Sequence, residues 1–182
     1  MGQGRLWAEW AALFLALPVA IAAVLPPGSM FPALFAGTAL GLWLLHRTPG
    51  FRWRELAQGR IDGRAVAVFA VVTLAVALTV SLATTGDPLR FVRERPGFFV
   101  LVMVFYPILS ALPQELVFRV LWFRRYGALL PGGWPGIVLN AAVFSLAHLM
   151  YWSGIVAAMT FAGGLAFAWA YQRRGSFAMA VA

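Results

Sequence analysis

The sequence contains no cysteine and no lysine, and only 6 of its 182 residues are acidic. Without cysteine there is no disulfide framework, no thiolate metal site and no cysteine nucleophile. Without lysine there is no serine–lysine dyad. Polar stretches are scarce as well: 11% of the residues are charged, 62% are hydrophobic, and the mean hydropathy is +0.83. A soluble domain of this length needs far more polar surface, so the composition describes one integral membrane domain over residues 1–182. Chemistry is left to two histidines, a few carboxylates and hydroxyls.

All 14 basic side chains are arginine, and the net charge is +8. The arginines gather in the loops between apolar runs. That placement marks topology and contact with lipid headgroups, and no nucleic-acid partner is expected. The composition suits a bacterial plasma membrane or an organelle, and arginine without lysine, which hints at a GC-rich bacterial genome, makes the bacterial plasma membrane the expected location.

The expected fold is all-α, a polytopic transmembrane bundle of about six spans plus the start of a seventh. The runs are 8–25, 30–45, 65–83, 97–123, 134–152 and 154–171, each near the roughly 20 residues that a spanning helix needs. The first is read as a retained signal-anchor helix rather than a cleaved leader. Residues 97–123 would make about 40 Å of helix, longer than a bilayer core, so this span should tilt or break at Pro107 or Pro113. Arg47, Arg52, Arg54, Arg60 and Arg64, then Arg124-Arg125 and Arg173-Arg174, fall on one side when the amino terminus is cytoplasmic. Gly163-Gly164 would permit close helix approach. Residues 176–182 look like the first turns of a further helix, so the chain is expected to stop short of an intact protein.

Two polar pieces interrupt this apolar pattern, Gln114-Glu115-Leu116-Val117-Phe118-Arg119 and Phe144-Ser145-Leu146-Ala147-His148. An ionisable group in a membrane span costs about 3 kcal/mol or more, which makes it a functional candidate. Glu115 and Arg119 are four apart with the acid first, the favourable order for a helical ion pair. Asn140, Phe144 and His148 also repeat every four residues and would share a helix face. The Pro131-Gly132-Gly133 turn lies midway between Glu115 and His148, so equal helical rise brings both to similar depth. A carboxylate and an imidazole converging on a pocket that admits water are the minimum equipment for general-base activation of that water.

The run Pro113-Gln114-Glu115-Leu116-Val117-Phe118-Arg119 resembles the Glu-Glu-x-x-x-Arg motif of the CAAX prenyl protease and bacteriocin-processing family of intramembrane endopeptidases. Phe144-Ser145-Leu146-Ala147-His148 resembles that family's Phe-x-x-x-His motif. The resemblance covers residues 98–182 and implies a membrane endopeptidase in which Glu115 and His148 activate water, with Arg119, Gln114, Phe144 and Asn140 in support. Its substrate would be a membrane-associated peptide or protein; in a bacterium a prenylated chain is the poorer fit. Gln114 stands where the family has its leading glutamate, and the family's third motif, on a late helix, is absent.

Each residue also has a plainer reading. Glu115 and Arg119 can be a buried structural ion pair, His148 and Asn140 polar bridges between helices, Phe144 packing, and Gln114 a structural hydrogen bond. Ser110 reads as an ordinary small polar residue. No cofactor is expected. Zinc is the weaker alternative, because a catalytic zinc takes three protein ligands and Glu115 and His148 supply two. The competing function is a catalytically inactive relative serving as a membrane scaffold or immunity protein. A transporter would show repeated halves with paired interrupted helices, which the sequence lacks.

Overall fold

A chain immersed in hydrocarbon has to satisfy its backbone N–H and C=O groups internally, and this one does so with helices throughout. The computed structural model describes residues 2–57, 59, 61–87, 89–177 and 180, less the side chains of residues 27, 30, 31 and 85. Six principal helices follow one another: α1 (Gln3–Val24), α2 (Met30–His46), α3 (Gly63–Thr85), α4 (Pro96–Tyr126), α5 (Gly133–Leu146) and α6 (Gly154–Arg174). No strand occurs among the described residues. Five segments are long and apolar enough to cross a membrane; α2 is the shorter apolar helix. The expected spans therefore all appear as helices. Of the expected further helix, residues 178, 179, 181 and 182 lie outside the described residues, as does Arg60.

Helices α1 and α4 accommodate proline by widening. In α1 the Leu17 N–H bonds the Ala12 carbonyl, five residues back, immediately before Pro18. In α4 the Leu112 N–H bonds the Pro107 carbonyl in the same manner, immediately before Pro113. Proline removes a donor and crowds the carbonyl four residues earlier, and a local π winding relieves both. A second π stretch follows at Leu116–Tyr126. Of the tilt or break expected for α4, the break does not occur: the helix is continuous, with altered winding at Pro107–Ala111.

Helix ends are set by familiar local chemistry. Asp62 caps α3 by accepting from the N–H groups of Arg64 and Ala65 at 3.1 and 3.2 Å, and Gly86 ends it with φ of 69°. Ser153 caps α6, and Gly175 ends it with φ of 61°. Only a residue without Cβ takes that left-handed conformation freely.

Packing is tightest on one side of the bundle. Trp10 and Phe14 of α1 meet Phe118, Trp122 and Tyr126 of α4 in edge-to-face contacts, with ring centroids as close as 4.9 Å between Phe14 and Trp122. At the end of this seam Arg125 pairs with Glu9, and its Nη1 donates to the Leu44 carbonyl at 3.2 Å and Thr48 Oγ1 at 3.3 Å. Tyr126 donates to Glu9 Oε1 at 2.6 Å. One buried arginine therefore ties α1, α2 and α4 together. Glu55–Arg124 (2.5 Å) and Asp62–Arg174 (3.2 Å) close the same end of the bundle. By contrast α3 leaves Val71 66% and Leu74 60% exposed, as a lipid-facing helix does.

Between α5 and α6 the close approach rests on Gly164. A Cβ there would sit 3.0 Å from Ala141 Cα and 3.2 Å from Phe144 Cδ1, whereas one at Gly163 would meet only Phe167 of its own helix at 3.5 Å. Gly164→Leu should lower unfolding stability in detergent by about 1–3 kcal/mol through overpacking, with Gly163→Ala near neutral. Equal effects at the two positions would show that α5 and α6 do not meet there.

Candidate active site

Arg119 organises the polar interior. It sits on α4 with no solvent exposure, and its Nε lies 3.0 Å from Glu115 Oε2 one turn earlier. The approach is off the N–H axis, so this is an ion pair by distance and not a well-directed hydrogen bond; Arg119 Nη2 has no hydrogen-bond partner among the described residues. Across the helix interface, Arg119 Nη1 donates to Asn140 Oδ1 at 2.5 Å, and Asn140 Nδ2 returns to the Phe118 carbonyl at 2.7 Å. The guanidinium carbon also lies 4.6 Å from the centre of the Phe144 ring and 5.8 Å from that of Phe167. A weakly hydrated, planar cation over a ring is a favourable arrangement where water is excluded.

His148 stands just beyond this network. The helical face drawn from the four-residue spacing ends early: α5 stops at Leu146, and His148 opens the short 3₁₀ turn Leu149–Tyr151. The chain reverses there because Trp152 adopts φ of 47° and Ser153 begins capping α6. Phe144 still meets the imidazole, with centroids 4.8 Å apart and the rings at 65°. His148 Nδ1 lies 2.8 Å from the Phe144 carbonyl. A carbonyl only accepts, so Nδ1 carries the proton, and in the neutral ring Nε2 keeps its lone pair.

A cavity of about 160 Å³ lies against His148. That volume holds several waters. Its polar lining includes Ser110 and Gln114 from α4 and Tyr151 beside His148, and the remaining wall is mostly apolar side chains of α1 and α2. Gln114 Nε2 donates to Ser110 Oγ at 2.8 Å. Glu115, about 100° further round the helix, is not part of this lining. The structure thus brings Gln114 and His148 to one cavity, and Glu115, Arg119, Asn140 and Phe144 to a buried network beside it. Phe144 joins the two sets. Among the described residues Glu115 and His148 share no hydrogen bond or ion pair.

Two contributors were not singled out from sequence, Tyr151 and the Phe118 carbonyl, and Ser110 reads there only as an ordinary small polar residue although it holds Gln114 at the cavity. Ser110 lies four residues before Gln114 and Tyr151 three after His148, spacings that place them on shared faces. The backbone carbonyl carries no sequence signal. Among the described residues no group of three or more His, Asp or Glu is placed to hold a metal ion.

A helical membrane protein with a buried acid–base pair and a histidine-lined cavity is the class these observations define. Within it, the family model for type II CAAX prenyl endopeptidase Rce1-like proteins matches residues 96–182, the segment that runs from the start of α4 and carries both polar pieces. No curated protein and no solved structure matches the chain.

Removing one member of a buried pair strands the other, at a cost of about 3–5 kcal/mol, whereas removing both costs much less. Arg119→Leu should therefore destabilise the protein by that amount and Glu115→Leu/Arg119→Leu by far less, read from unfolding in detergent. Additive losses would mean that the two side chains do not interact.

Proposed function

We propose that this polypeptide is an intramembrane endopeptidase that hydrolyses a peptide bond in a membrane-associated peptide or protein. The family match and the cavity shared by Gln114 and His148 support this reading. In it, water enters the cavity and attacks the scissile carbonyl while its proton passes to Glu115, whose carboxylate turns from the buried network beside the cavity to take it. His148, with Nε2 as the acceptor nitrogen, orients that water, and the proton held by Glu115 then passes to the leaving amine. The Gln114 amide, held by Ser110, is a donor to the oxygen that becomes negative in the tetrahedral intermediate. Arg119 and Asn140 hold Glu115 and Phe144 in register. Neither a metal nor an organic cofactor takes part. The arginine-rich end of the bundle faces the cytoplasm of a bacterial cell.

A second reading has its own observation. No carboxylate lines the cavity among the described residues, and Glu115 is held by Arg119. On that reading the chain is an inactive relative that keeps the scaffold.

The two part in a cleavage assay on protein reconstituted in bilayers, using fluorogenic peptides joined to a membrane anchor. The endopeptidase reading expects Glu115→Gln and His148→Ala each to lower kcat by about 10²–10⁴-fold, and Gln114→Ala to lower it less. Cleavage that survives Glu115→Gln removes the glutamate from the mechanism. A silent native chain that gains activity with Gln114→Glu supports the scaffold reading.

A further inference from the structure

A second cavity, of about 440 Å³ near Arg124 and Gln172, is closed on one side by the Glu55–Arg124 pair and has balanced charge. More is offered by the gap between α3 and α6, a cavity of about 470 Å³ remote from His148. Its walls are apolar, with Val68 and Val72 on α3 and Ala166 on α6, and the two helices touch through Phe69 and Phe167 at 5.3 Å between ring centres. Its mouth is charged. Asp62, Arg64 and Arg174 surround it, and the Arg174 guanidinium lies 5.2 Å from the centre of the Trp169 ring.

The charges at this mouth do not cancel. Asp62 is already committed: Oδ1 caps α3, and Oδ2 pairs with Arg174 at 3.2 Å. Arg64 is exposed and has no acidic partner among the described residues. Two guanidinium groups against one carboxylate leave a net positive charge at the level where Trp169 marks a membrane interface. From Arg64 to Val72 the helix rises about 12 Å. A cationic rim above a 12 Å apolar trough, open to the bilayer, has the polarity profile of one phospholipid.

We propose that the groove between α3 and α6 binds an anionic phospholipid, its headgroup on Arg64 and Arg174 and one acyl chain along Val68, Val72 and Ala166. The occupant is a lipid because the trough is apolar and α3 is otherwise lipid-exposed; it is anionic because Arg64 lacks a counter-charge. Such a lipid would fill the space that keeps α3 apart from α6 and bind the otherwise loosely packed α3 to the rest of the bundle.

Native mass spectrometry of the detergent-purified chain, titrated with phosphatidylglycerol and with phosphatidylcholine of the same acyl chains, tests this. Phosphatidylglycerol should bind about fivefold more tightly, the increment of one interfacial arginine. Arg64→Gln should erase that preference while Arg64→Lys keeps it, and Val72→Trp, which fills the trough, should weaken both lipids. Arg47→Gln, at the same end but stacked on Trp43, should change neither. Equal affinity for the two lipids, a loss in Arg47→Gln matching that in Arg64→Gln, or full binding by Val72→Trp would each overturn the proposal. Helical content and melting temperature, followed for each variant, separate lost binding from lost folding.

Discussion

The guanidinium of Arg119, wholly buried inside a helical membrane protein, is the constraint on which the rest of the interior depends. A permanent cation in that setting persists only with an opposite charge and hydrogen-bond acceptors close by. Glu115 supplies the charge, Asn140 the acceptor and Phe144 a π face, and the last two come from a different helix. Satisfying one side chain therefore fixes how α4 and α5 face each other. Gly164 lets α6 close over the same spot, since any larger residue would push Phe144 aside. His148 inherits its position from Phe144, through the ring contact and the carbonyl.

This arrangement separates two tasks that the sequence places side by side. Gln114 and Glu115 are neighbours, yet a helix turns them to different surroundings, one to the cavity and one to the arginine. In the endopeptidase reading the buried pair keeps the carboxylate next to the reaction site and the cavity supplies water and substrate. In the scaffold reading the same pair is only a rivet. The tight aromatic seam between α1 and α4 and the Arg125–Glu9 clamp serve either function, because they hold the walls of the cavity whatever happens inside it.

Much of the fold was legible because the membrane enforces a simple grammar: apolar length marks spans, and proline, glycine and arginine mark their ends. The spacing of Glu115 and Arg119 revealed their pairing, and the structural hydrogen bond expected of Gln114 finds a partner, Ser110, that the sequence reading passed over. What sequence could not reveal was winding. A π stretch shifts every later side chain round the axis, so the register of Leu116–Tyr126 does not follow from counting. The end of α5 before His148 was hidden too, as was the left-handed Trp152 that follows the 3₁₀ turn, a conformation that no rule assigns to tryptophan. The Glu9–Arg125 contact joins residues 116 apart, and nothing in either neighbourhood announces it.

The absence of cysteine allows a direct measurement of the central geometry. With Gln114→Cys and His148→Cys introduced together, a short bifunctional thiol reagent applied to the protein in native membranes should join α4 to the turn after α5. The yield should fall sharply when Asn140→Leu is added, because Arg119 then loses its acceptor on α5. Failure of the pair to cross-link, or a yield indifferent to Asn140, would contradict an interior arranged round Arg119.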